Sequence, residues 1–187
     1  MRVALFALLF LSLFASGCVR TTHPILTEDQ VISNNALLGK WVSTDGKTSA
    51  ELSAGDEGKY KLIYTNEQGK SGHFLLRFGK IGDLAVAEIS PDAFSADVSE
   101  EYKGLLMPLY MMLVIEKTQP QLLVASPSAD WLKKYVTAHP DDLDVNNVED
   151  LIVQASTEDF QAFFLKHYKD AGMLGDPASF VRPAPAK

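Results

Sequence analysis

From Leu38 to Pro127 apolar and polar residues tend to alternate with period two, and after Ser128 the spacing turns helical. Tyr60, Leu62 and Tyr64 alternate with Lys59, Lys61 and Ile63, and Phe74, Leu76 and Phe78 with His73, Leu75 and Arg77. This pattern predicts strands over Gly39–Ser43, Ser49–Ser53, Lys59–Thr65, Gly72–Phe78, Leu84–Ile89, Leu109–Glu116 and Gln121–Ala125. Turn residues separate them: Asp45-Gly46, Gly55 to Gly58, Asn66 to Gly69 and Gly79 to Gly82. Short strands joined by tight turns imply an antiparallel meander. The stretch from Leu109 to Ile115 is apolar at every position, which predicts a strand buried on both faces.

The last third predicts two helices. Ser128 caps the first, which runs through Tyr135 with Trp131, Leu132, Tyr135 and Val136 on one side, and His139-Pro140 ends it. Leu151–Ala155 reads as one more short strand. Ser156 or Thr157 opens the second helix, whose apolar stripe is Phe160, Phe163, Phe164, His167 and Ala171, with Gly172 as the stop. That stripe is expected to lie against the outside of the sheet. Beyond Gly172, Pro177, Pro183 and Pro185 predict an irregular tail over 173–187.

The N-terminus has a different pattern. Arg2 precedes an apolar run from Val3 to Phe14, which is too short to span a bilayer as a helix, and Ala15-Ser16-Gly17 supply small residues before Cys18. Cys18 is the only cysteine. The sequence Ala-Ser-Gly-Cys resembles the lipobox of bacterial lipoproteins. The resemblance implies that residues 1–17 are a signal peptide and that the Cys18 thiol and amine carry acyl chains. Two chains are enough for stable anchoring. Val19 follows the cysteine where Asp would resemble an inner-membrane retention signal, so the resemblance implies the outer membrane. An ordinary secretory signal cut nearby would instead leave Cys18 as a lone thiol. Residues 18–36, which include Thr21, Thr22, His23 and Pro24, read as the lipidated cysteine and a tether, with Ile25, Leu26, Val31 and Ile32 able to dock on the domain.

The formal charge is −7, and Arg2 is the only charge in the first seventeen residues. An acidic chain without basic patches has no electrostatic footprint for nucleic acid. It also lacks a polybasic grip on anionic lipid. Membrane contact is therefore expected through the acyl chains.

An antiparallel meander of about eight strands followed by a packing helix, opened by Leu38-Gly39-Lys40-Trp41, resembles the lipocalin and wider calycin group. The resemblance covers roughly residues 38–171. It implies a mainly β fold: a lipocalin-like barrel over 37–172 with two C-terminal helices packed outside. In that group the Gly and Trp, here Gly39 and Trp41, define the first strand, and the Trp closes the floor. An Arg near the last strand stacks on that Trp; here the candidate strands end well before the nearest later Arg, Arg182. No Thr-Asp-Tyr element follows the middle strands. The stretches Ala129–Tyr135 and Ala155–Phe164 also resemble uncharacterised bacterial lipoproteins of similar length.

Candidate chemistry is sparse. Met107, Met111 and Met112 are adaptable side chains that suit a cavity for a lipophilic ligand, with Tyr60, Tyr64 and His73 as further lining on neighbouring strands. Side chains can also fill a barrel of this size. The connection from Ser90 to Pro108 carries Phe94, Tyr102, Leu105 and Leu106 and reads as a lid, a docking surface or a turn packed on the barrel end. Asp142, Asp144 and Asn146 open like a calcium loop, but Asn147 stands where Gly is needed and Val153 where Glu is needed, so a solvated acidic loop is expected. His23, His73, His139 and His167 have no metal-ligand spacing, and no nucleophile elbow, phosphate loop or dinucleotide fingerprint occurs. No metal, cofactor or catalytic residue is expected. The sequence points to a non-enzymatic outer-membrane lipoprotein that binds a small apolar or lipid-like ligand, or to a filled barrel that binds an envelope protein.

Overall fold

The computed structural model describes residues 19–56, 58–92, 99, 108–146, 148 and 151–183. Ten strands occur among them: β1 (Arg20–Thr21), β2 (Gly39–Ser43), β3 (Ser49–Ala54), β4 (Tyr60–Thr65), β5 (Ser71–Ile81), β6 (Leu84–Pro91), β7 (Tyr110–Lys117), β8 (Leu122–Ala125), β9 (Ile152–Val153) and β10 (Ala178–Val181). Two α-helices are α1 (Ala129–Ala138) and α2 (Thr157–His167). The chain is mainly β, and strands β2 to β8 and β10 close into an eight-stranded antiparallel barrel. No helix of the described residues is long and apolar enough to cross a membrane.

The seven strands expected between Leu38 and Pro127 occur in the expected places, joined in a meander. The eighth is not the expected one. Ile152–Val153 lies outside the ring and pairs in parallel with β1. Closure comes from β10, which bridges Leu122–Val124 of β8 and Val42–Ser43 of β2. The segment expected as an irregular tail therefore completes the barrel. Without it β2 and β8 would each present an unpaired row of backbone donors and acceptors.

The segment expected as a tether is also part of the fold. β1 runs antiparallel to Tyr110–Met111 at the start of β7, on the edge that β8 leaves free. The chain then crosses the outer wall as a strap, in which Ile25 and Leu26 are fully buried. Gly79 of β5 permits this crossing, since a Cβ there would sit 2.5 Å from the Gln30 carbonyl oxygen and 2.9 Å from Leu26. Ile32 N–H donates to the Phe78 carbonyl, and the strap enters β2 through a 3-10 turn at Asn35–Leu37.

Two cores result. The inner one fills the floor of the barrel with Leu37, Trp41, Leu52, Leu62, Leu76 and Phe78, among others. The outer one packs the helices on the wall: Phe160, Phe163 and Phe164 of α2 and Leu132 and Val136 of α1 join Val86 of β6, Met112 and Val114 of β7, and the strap. The helices thus lie outside the barrel, as the apolar stripe predicts. Ser128 caps α1 through the Trp131 N–H, and Ser156 caps α2 through the Asp159 N–H. α2 ends at His167, one turn before Ala171.

Candidate functional site

The floor of the barrel is sealed. Trp41 is 1% exposed, and its indole N–H donates to the Leu37 carbonyl at 2.8 Å. The Arg182 guanidinium stands over the Trp41 ring at 3.7 Å, a cation–π contact. It also donates to the carbonyls of Ala36 (2.7 Å) and Lys40 (3.4 Å). The expectation of no partner for Trp41 is corrected, because β10 delivers Arg182 one residue after its last position. Gly39 has φ of +96°, and a Cβ there would meet the Arg182 guanidinium at 2.9 Å, so this position needs glycine twice over.

Register assigns the inner face. Tyr60, Leu62 and Tyr64 of β4 pair with Leu76, Phe74 and Gly72 of β5, and Ile89 and Ala87 of β6 pair with Met111 and Leu113 of β7. Toward the floor these inward side chains are fully buried. Toward the opposite end, where the β4–β5 turn and the start of β7 lie, Ala50, Tyr64, Phe74, Met111, Leu113 and Val124 are only half-buried. They form a half-buried apolar layer above the packed floor. No charged side chain lies among them.

The candidate residues separate accordingly. Tyr64 and Met111 belong to this half-buried layer. Tyr60 faces inward but belongs to the floor, where its hydroxyl accepts from the Asn34 N–H at 2.5 Å. Met112 points the other way and is 3% exposed in the outer core, because it is one residue out of phase with Met111. His73 pairs with Ile63 on the outer face and is exposed, so it does not face a cavity. Cys18, Met107 and most of the Ser90–Pro108 connection lie outside the described residues.

One buried polar cluster escaped the sequence reading. Arg77 of β5 and Glu88 of β6 are paired neighbours on the outer wall, 8% and 2% exposed. Arg77 donates to both Glu88 oxygens (2.7 and 2.9 Å), to Glu28 (2.6 Å) and to the Leu26 carbonyl (2.6 Å). Glu88 Oε2 also accepts from the N–H groups of Ile25 (2.5 Å) and Leu26 (3.0 Å). Burial works against the Arg77 charge, but the Glu88 hydrogen bonds and the Glu88 and Glu28 charges outweigh it and raise its pKa. Burial, with the Glu88 charge, raises that of Tyr110. This cluster latches the strap to the wall.

A surface groove of about 530 Å3 lies elsewhere, between the acidic loop and α2, lined by Asp141, Asp142, Asp144, Asp159, Phe163 and Lys166 among others. Asp142 accepts from the Tyr135 hydroxyl at 2.6 Å, which lowers the carboxyl pKa and raises that of the phenol. The Ser156 hydroxyl donates to Asp159 Oδ2 at 2.8 Å and accepts from the Asp159 N–H at 3.1 Å. Among the described residues no three His, Cys, Asp or Glu side chains are placed to hold a metal. His167 pairs through Nδ1 with Asp170 at 2.7 Å, and its ring packs among Trp131, Tyr135 and Phe163, so it serves as a core histidine.

No family model matches this chain, and no curated protein or solved structure matches it either.

Proposed function

We propose that this protein is a lipid-anchored lipoprotein of the bacterial outer membrane whose barrel mouth takes one small apolar group. The signal-like N-terminus and Ala-Ser-Gly-Cys18 support the address. The observation that carries the binding reading is the change in burial along the inner wall, from a sealed floor to half-exposed Tyr64, Phe74, Met111 and Leu113 at the mouth. Apolar lining with few polar groups is what recognition of a lipophilic ligand requires. Met111 suits it, since an unbranched thioether adapts to irregular ligands. The role is binding, with no catalytic step.

The test uses residues 19–187, exported without the anchor. Native mass spectrometry with solvent extraction, and titration with the apolar fluorophore N-phenyl-1-naphthylamine, should reveal one site. Met111→Trp should abolish uptake while leaving the melting temperature within a few degrees. A bare-mass protein that resists loading would instead favour a filled barrel that docks an envelope protein, the reading to which the packed floor lends weight.

A further inference from the structure

We infer that Gly72 is a specificity-determining position of the apolar site: by lacking a side chain it stows the Phe74 ring against the wall and keeps the half-buried layer accessible to a neutral ligand. The inference rests on the apolar-binding reading and names the pair of residues that decides whether a ligand fits.

Three observations carry it. The first is where the ring lies. Gly72 and Phe74 share the inner face of β5. Phe74 pairs with Leu62 of β4, and Gly72 pairs with Tyr64, one layer nearer the β4–β5 turn. The Phe74 ring does not stay in its own layer. A Cβ at Gly72 would sit 2.7 Å from Phe74 Cε2 and 2.8 Å from its Cζ, so the end of the ring fills the place of the missing side chain. Side chains on a strand lean along it, and this one leans toward the mouth.

The second is why glycine stands there. Gly72 is not among the residues with positive φ, so the backbone does not demand it. Glycine inside a strand has no side chain to pack and weakens the strand, and it marks places where another group approaches closely. At Gly72 that group is the ring two residues on.

The third is what a displaced ring would meet. Leu62 and Leu76, the neighbours of Phe74 on the floor side, are each 6% exposed and leave no room below it. Behind it is the backbone of the wall. The remaining staggered orientation turns the ring across the barrel, over the half-buried Tyr64, Met111 and Leu113. A side chain at position 72 would therefore cover the surface that a ligand needs. That layer carries no charged side chain, so the group it admits is neutral.

The experiment uses residues 19–187, which contain every described residue and both cores. The probe is N-phenyl-1-naphthylamine, followed by fluorescence titration, with the melting temperature and near-ultraviolet circular dichroism as checks on folding. Gly72→Ala should weaken uptake about tenfold or more. Phe74→Leu alone should keep it, and Gly72→Ala combined with Phe74→Leu should restore it. A glycine with a merely structural role would not be rescued by trimming Phe74. Uptake at the native level in Gly72→Ala, or a loss that Phe74→Leu does not restore, overturns the inference. Should Gly72→Ala fail to fold, Phe74→Trp carries the test, since the larger ring overfills the notch at an intact Gly72. Loss of uptake in that folded variant is expected, and native uptake overturns the inference. The two failures are distinct. An unsubstituted protein that takes up no probe and releases no ligand on solvent extraction sinks the binding reading and the stowed ring with it. Native uptake with an indifferent Gly72→Ala sinks the stowed ring alone.

Discussion

Arg77 and Glu88 occupy positions that alternation assigns to the wet side of the barrel, beside Leu76, Phe78, Ala87 and Ile89 on the inner face. They are buried because a segment distant in sequence lies across them, and strand periodicity carries no information about such a cover. Removing one partner of a buried ion pair leaves the other uncompensated. Glu88→Gln is therefore expected to cost about 3 kcal/mol, read as a lower urea midpoint at unchanged slope. The Tyr135–Asp142 hydrogen bond is exposed and sets a pH dependence. The folded Asp142 pKa is lowered from 3.8 chiefly by the Tyr135 hydroxyl. Its contribution is present above the unfolded value and is lost as pH falls through the folded one. In Tyr135→Phe the Asp142 carboxyl, followed by carbon NMR, should titrate higher. The two proteins should differ in stability above pH 4 and converge below it.

At the scale of elements, β2 to β8 were legible because each carries a local signal, an alternation bounded by turn residues or, in β7, a short run of apolar residues. β10 was not. Only Phe180 and Val181 of its four residues are strong strand formers, and Pro177 and Pro183 flank it. It becomes a strand because β2 and β8 both offer it backbone partners. Deleting residues 176–187 should therefore open the barrel, exposing two edges and freeing Trp41 of Arg182. The expected outcome is loss of a cooperative melt and concentration-dependent aggregation, read by near-ultraviolet circular dichroism and light scattering. A truncated chain that melts as the full one does would show that closure is dispensable. The strap follows the same logic: Ile25 and Leu26 have no period, and the floor Tyr60, the wall and α2 decide where they go. In the candidate site, period two separates Met111 from Met112 once the face of β7 is known. It cannot say which face is inner, since the strand is apolar on both; on β5 it puts His73 on the same wetter face as Arg77.

For the molecule as a whole, address and fold are separable. If Cys18 carries the anchor, Cys18→Ser should move the protein from the membrane fraction to the soluble one while leaving its melting temperature unchanged. Continued membrane association of the mutant would refute lipid anchoring. The local signals in the chain determined a meander of short antiparallel strands, two capped helices and a signal-like N-terminus. Each of these depends on neighbours within a few residues: a turn dipeptide, a capping serine or an alternation. Only the tertiary structure decided that the tail closes the barrel, that the N-terminal segment is a strap latched by Arg77 and Glu88, and that the inner wall passes from a sealed floor to a half-buried layer. Those outcomes depend on which unpaired edges and uncovered faces remain after the local elements form. Contacts between residues far apart in the chain settle that, and no local pattern records them.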